Sequence, residues 1–160
     1  MIKAANHLSI PIFATTQNRA RLGEMCADLS LSNAVVHADK TRFSMWIPEI
    51  ASHFSSSAPS EVVLVGIESH ICITQTALDL LANGHKVYVL ADGVSSCNPQ
   101  EVPVALDRLR HEGATVTTSE SWLYECMGDA AIPQFKAIAG LVKETSKDTE
   151  KVLSTLLSKI

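Results

Sequence analysis

The sequence has no apolar run longer than about five residues, far below the roughly 20 that carry a helix across a bilayer. It has no Lys/Arg cluster: 13 basic residues stand against 17 acidic ones, for a net charge of −4 and a pI near 5.8. No surface that tracks a phosphate backbone is expected, so neither nucleic acid nor membrane is an expected partner. There is no CxxC pair, no HxxxH or HxH, no GxGxxG and no Walker pattern, so zinc and nucleotide sites lack their usual spacing. The apolar start of MIKAANHLSIPIF is short and is broken by Lys3, Asn6 and His7, so it does not read as a signal peptide.

What is present suffices for one folded domain. The chain has 160 residues, 46% hydrophobic and 19% charged, a balance that supports a core and excludes general disorder. A core of this size needs no disulfides. The four widely spaced cysteines, Cys26, Cys72, Cys97 and Cys126, therefore read as thiols in a reducing, cytoplasmic setting. Each is by default a small buried hydrophobe.

Apolar spacing predicts a helix over residues 1–8, then short strands at 10–15 and 34–37 with a polar loop between them at 17–32. A short helix near 47–54 and a surface loop at 55–60 follow. The second half alternates more clearly. Strands are expected at 62–65, 87–91 and 115–118, and helices at 72–82, 99–112, 119–127, 134–142 and 149–160. Asn83-Gly84 forms a left-handed stop. Strands without internal alternation, separated by helices, indicate an α/β fold with a parallel sheet covered on both faces.

In such sheets ligands bind beyond the carboxyl ends of the strands. That rule selects the loops at Thr16-Gln17, Asp39-Lys40, Gly66 to Cys72 and Asp92 to Cys97. Cys72 follows a strand and a tight turn at the start of a helix. A thiol placed there ionises more readily than a free one, and nearby backbone N–H groups can hold an oxyanion. The plain alternative is a core residue where helix meets sheet. Lys40 lies at the same sheet edge and could stabilise a thiolate, or it is a solvated loop lysine. His37, Asp39 and His70 are scattered and make a weak metal set.

VVLVGIESHICITQTALDLLANGHKVYVLADGVSS and KTRFSM resemble the isochorismatase-like cysteine hydrolases, most of all the subgroup of isochorismatase domain-containing protein 2. Ser119-Glu120, Gly128-Asp129-Ala130, Pro133 and Phe135-Lys136 extend the resemblance, which covers roughly residues 1–144. It implies a Rossmann-like three-layer α/β/α fold with a six-stranded parallel sheet in the order 3-2-1-4-5-6. Residues 145–160 are then an added C-terminal helix. It implies an Asp–Lys–Cys site with Cys72 as nucleophile and Lys40 as the lysine. A cis peptide between Ile67 and Glu68 would shape an oxyanion hole, with the N–H groups of Glu68 and Cys72 as donors. The implied substrate is a small amide or related carbonyl compound, attacked to give a thioester that water hydrolyses. No metal and no cofactor are implied, and homo-oligomers are common in the family.

One expected part has no match. The family's Asp follows its first, central strand, and no such strand precedes Ile10. Asp28 and Asp39 do not follow a matching strand. The sequence therefore reads as an N-terminally shortened form, lacking roughly one strand, one loop and part of a helix, about 30–45 residues. Its hydrolase chemistry is expected to be impaired. The alternative is a non-catalytic binding or regulatory protein acting through protein–protein contacts. Thr16 also departs from the acidic residue of the subgroup's Thr-Glu-Gln stretch, whereas Thr15 and Gln17 agree with it.

Overall fold

The computed structural model describes residues 1–54 and 58–157, so part of the expected 55–60 loop and the last residues of the 149–160 helix lie outside the described residues. Among the described residues there are five strands: β1 Phe13–Gln17, β2 Val36–Lys40, β3 Glu61–Gly66, β4 Lys86–Val94 and β5 Thr115–Thr117. All pairings are parallel, as expected for strands separated by helices. The helices are α1 Ile2–His7, α2 Arg19–Leu22, α3 Pro48–Ala51, α4 Thr74–Ala82, α5 Glu101–His111, α6 Ser119–Met127 and α7 Phe135–Leu157. A π-helical turn, Ser69–Ile73, leads directly into α4.

The strands form two sheets rather than one, in the orders β1-β2 and β3-β4-β5. The split lies between β1 and β3, where the resemblance puts its central strand. Among the described residues, β1 bonds only to β2 and β3 only to β4. Other contacts join the halves. The Met45 N–H donates to Thr76 Oγ1 at 2.9 Å. The ring of Phe54 meets those of Phe13, Trp46 and His85.

The main core packs β3 and β4 against α4 and α5 through Leu64, Ile73, Val87, Val89, Leu106 and Leu109, among others. A second cluster joins Ala4 of α1, Leu123 and Met127 of α6 and Ile138 of α7. Both Val89 and Leu90 are fully buried, so consecutive, oppositely directed side chains of β4 are both covered.

Element ends differ from expectation for local reasons. The first strand starts at Phe13, not Ile10, because the Ile10 N–H closes α1 on the Ala5 carbonyl at 2.8 Å and Pro11 has no N–H to give. The second strand runs on through His37 and Asp39 to Lys40. It is an edge strand, and its exposed face accepts polar residues. The loop expected at 17–32 contains the single turn α2. The helices expected at 134–142 and 149–160 are one helix, α7. The polar stretch between them carries no Gly or Pro to end a helix, and its side chains simply face water. At α4 the left-handed stop is present: Gly84 has φ 82°.

Candidate active site

The carboxyl ends of β2 and β3 bring Lys40 and Cys72 together, with Nζ 4.0 Å from Sγ. Lys40 is buried and Cys72 half-buried. The ammonium has three N–H groups, and three neutral oxygens lie in reach. They are Gln17 Oε1 at 2.6 Å and the carbonyls of Arg42 and Phe43 at 2.9 Å each. Every proton of the lysine is thus engaged by a group without charge, and the sulfur is its additional neighbour. Among the described residues, no carboxylate bonds to this ammonium. Burial pushes the Lys40 ammonium below its ordinary value, while Cys72 and Asp39 pull it back up. From the sequence, Gln17 is a strand-end loop residue that matches the subgroup's Thr-Glu-Gln stretch, with no sign of a contact to Lys40. Its role in orienting Lys40 depends on the β1–β2 register, which places Gln17 opposite Lys40.

Cys72 stands in the π turn, not in the first turn of the expected 72–82 helix. The Glu68 carbonyl accepts the N–H groups of Ile71 and Ile73, both at 3.2 Å, on either side of Cys72. Insertions of this kind in a helix are frequent at functional sites. The Ile67–Glu68 peptide bond is cis. The Glu68 carboxylate turns to the neighbouring loop, accepting the Cys97 N–H at 2.7 Å and the Cys97 thiol at 3.3 Å. That contact raises the Cys97 thiol above its ordinary value, so the two cysteines of this region sit in opposite fields: Cys72 beside a cation, Cys97 beside an anion. A groove of about 660 Å³ opens between the Ile67 and Ser95 loops and α7, and neither Lys40 nor Cys72 lines it.

Asp39 precedes Lys40 on β2, so its side chain leaves the opposite face. It accepts Thr16 Oγ1 at 2.9 Å and the Arg19 N–H at 3.0 and 3.1 Å. Thr16 therefore ties β1 to β2 and takes no part in the Lys40–Cys72 pair. His37 is exposed, and His70 hydrogen-bonds Ser96. Among the described residues, no three His, Cys, Asp or Glu side chains converge as a metal set.

The hydrogen bond from the Arg19 N–H, with that from Thr16, holds the Asp39 carboxyl below its ordinary value of 3.8. A carboxyl lowered on folding contributes stability above its unfolded value, and that contribution disappears as pH falls through the folded value. Asp39→Asn is therefore expected to lower the urea midpoint by a constant amount from pH 7 down to about 5. The gap to the unsubstituted chain then closes in stronger acid. Equal midpoints at pH 7 would show that Asp39 does not hold β1 to β2.

The family model described as Isochorismatase domain matches residues 1–121. The chain belongs to the isochorismatase family. The secreted isochorismatase effector Isc1 of Phytophthora sojae (strain P6497) is 41% identical over 153 residues, covering 92% of this chain and 73% of that protein. The isochorismatase domain-containing protein 1 of Salmo salar is 38% identical over 161 residues, covering all of this chain and 55% of that protein. The isochorismatase domain-containing protein 2 of Bos taurus is 40% identical over 150 residues, 93% of this chain and 72% of that protein. The chain thus spans little more than half of one such relative and nearly three quarters of others. A solved structure, the MAR1 ribonuclease of Caenorhabditis elegans, superposes with a TM-score of 0.82 at 37% identity, over 88% of this chain and 73% of that one. The α/β architecture with parallel sheets is that of the isochorismatase-like hydrolases. Among the described residues, no helix is long and apolar enough to cross a membrane.

Proposed function

We propose that the chain carries a cysteine hydrolase site for an amide or related carbonyl compound, with Cys72 as nucleophile and Lys40 as the fixed cation beside it. The observation that supports this most is the 4.0 Å approach of Lys40 Nζ to Cys72 Sγ, with the ammonium clamped by three uncharged oxygens. A cation held in this way favours negative charge on the sulfur. The thiolate attacks the carbonyl carbon, and the oxyanion falls to the backbone N–H groups of Glu68 and Cys72 on the loop that begins at Ile67. Expulsion of the leaving group forms a thioester, which water then opens.

An amine leaves only when it receives a proton. Among the described residues, no carboxylate is hydrogen-bonded to Lys40 Nζ or to Cys72 Sγ to pass that proton on. A leaving group that departs as a stable anion avoids this need. Mixing the 160-residue chain with p-nitrophenyl acetate is therefore expected to give a burst of one nitrophenolate per chain and an acetyl group on Cys72 by peptide mass mapping. Cys72→Ala abolishes both, and simple amides turn over poorly or not at all. Brisk amide turnover that Cys72→Ala removes would overturn the need for a carboxylate. The lack of that carboxylate also favours a second reading, a non-catalytic protein acting through protein–protein contacts, and an unacetylated Cys72 would decide for it. The name of the C. elegans neighbour makes that protein a ribonuclease. With net charge −4 this chain offers no strong field for a phosphate backbone.

A further inference from the structure

The loop after β4 is bonded residue by residue to the loop that precedes Cys72. The Ser95 N–H donates to the Gly66 carbonyl at 3.2 Å, and the Ser69 N–H donates to the Ser95 carbonyl at 2.9 Å. The Cys97 N–H reaches the Glu68 carboxylate. Between these, Ser96 is buried and uses its side chain. Its Oγ lies 3.1 Å from the Ser69 N–H, 2.5 Å from Ser69 Oγ and 3.0 Å from His70 Nδ1. Ser69 is itself fully buried, and its carbonyl accepts Thr74 Oγ1 at 2.7 Å.

A hydroxyl has one proton to give and two lone pairs to fill. The distribution that leaves no hydroxyl proton unused has Ser96 Oγ accepting both the N–H and the O–H of Ser69. Ser96 then donates to His70 Nδ1, which is unprotonated, with the imidazole proton on Nε2. One side chain therefore meets two consecutive residues between Glu68 and Cys72, the two residues whose N–H groups are assigned to the oxyanion. We propose that Ser96 is a positioning residue for this oxyanion loop, acting through Ser69 and His70 and not by contact with substrate. The inference rests on the cysteine hydrolase reading above.

Two reactions of Cys72 separate loop geometry from sulfur reactivity. Alkylation by iodoacetamide develops no oxyanion, whereas acetylation by p-nitrophenyl acetate does. Both are read at Cys72 by peptide mass mapping, because Cys26, Cys97 and Cys126 are also free. In Ser96→Ala, acetylation is expected to slow roughly tenfold or more, with alkylation within about twofold of the unsubstituted chain. Ser96→Thr keeps the hydroxyl and is expected to recover most of the acetylation rate. Ser69→Ala cuts the same link from the other side and should give the same split, with the double variant no slower than the slower single one. Unchanged acetylation in both alanine variants overturns the proposal, and so does a parallel loss of both reactions. If Cys72 of the unsubstituted chain is not acetylated, the cysteine hydrolase reading itself fails and the positioning role falls with it.

Discussion

Lys40→Met is expected to slow alkylation of Cys72 at neutral pH by roughly 10- to 100-fold. Two unit charges 4 Å apart interact by about 4 kcal/mol at the effective dielectric of a protein surface. Solvent screening of a half-exposed sulfur leaves part of that. A remainder of about 1.4–2.8 kcal/mol gives the stated range, at one decade per 1.4 kcal/mol. Methionine fills similar volume but leaves Gln17 Oε1 and the carbonyls of Arg42 and Phe43 without the donor they have now. An acceptor fully shielded from water costs about 1–3 kcal/mol when it loses its donor; these oxygens are only part-buried, so the melting temperature should fall with the rate by less than that sum. Lys40→Arg retains the charge but replaces a compact ammonium with a planar fork, which cannot direct three N–H groups to the same oxygens. It should recover part of the alkylation rate and little of the stability. Equal alkylation of the methionine variant and the unsubstituted chain would show that the lysine does not act on the sulfur.

Leu90→Ala should be the most destabilising of the core truncations. Leu90 is fully buried on β4, the middle strand of the three-stranded sheet, and stands opposite Thr117 of β5. Large-to-small substitution at such a site costs about 2–5 kcal/mol, or roughly 4–20 °C in melting temperature for a chain of this size. Val104→Ala on α5, 65% exposed, is the control and should move the melting temperature by a degree or two at most. The lever is large because β3-β4-β5 has a strand edge at β3 that pairs with nothing among the described residues. Side-chain packing from both faces of β4 therefore carries much of that sheet's cohesion, and Leu90 supplies it on the face opposite Val89, away from α4 and α5. A loss below about 1 kcal/mol would mean that the neighbours close over the cavity.

The parts of the fold legible from the chain were those where a local signal had no competitor. The Ser119–Met127 helix was read to its ends, because Thr118 caps it and Gly128 stops it in the left-handed region. The stop after α4 was legible for the same reason. Strand ends were not, because they depend on partners. Lys40 belongs to β2 only because β1 lies beside it in register. The Val87–Ala91 strand extends to Val94 because the ladder resumes, after an irregularity, with Gly66 opposite Val94.

The candidate site divides in the same way. Residue order alone determined that Cys72 follows a strand and a turn, that Lys40 lies just past another strand, and that the GIESHIC and KTRFSM segments carry the family pattern. It also determined the parallel α/β class, since strand–helix alternation leaves few ways to bury unalternating strands. Only the tertiary structure decided that Lys40 faces Cys72 while Asp39 faces away, that Gln17 and two carbonyls clamp the ammonium, and that Ser96 ties down the loop before Cys72. It also decided that the strands divide into two sheets. The Gln17–Lys40 and Lys40–Cys72 contacts join residues 23 and 32 positions apart and the Ser69–Ser96 link residues 27 apart, whereas the Arg42 and Phe43 carbonyls lie only 2 and 3 positions from Lys40. Periodicity reports which face of an element is apolar. It carries no information about which distant residue that face will meet, because the choice is made by packing across the whole chain.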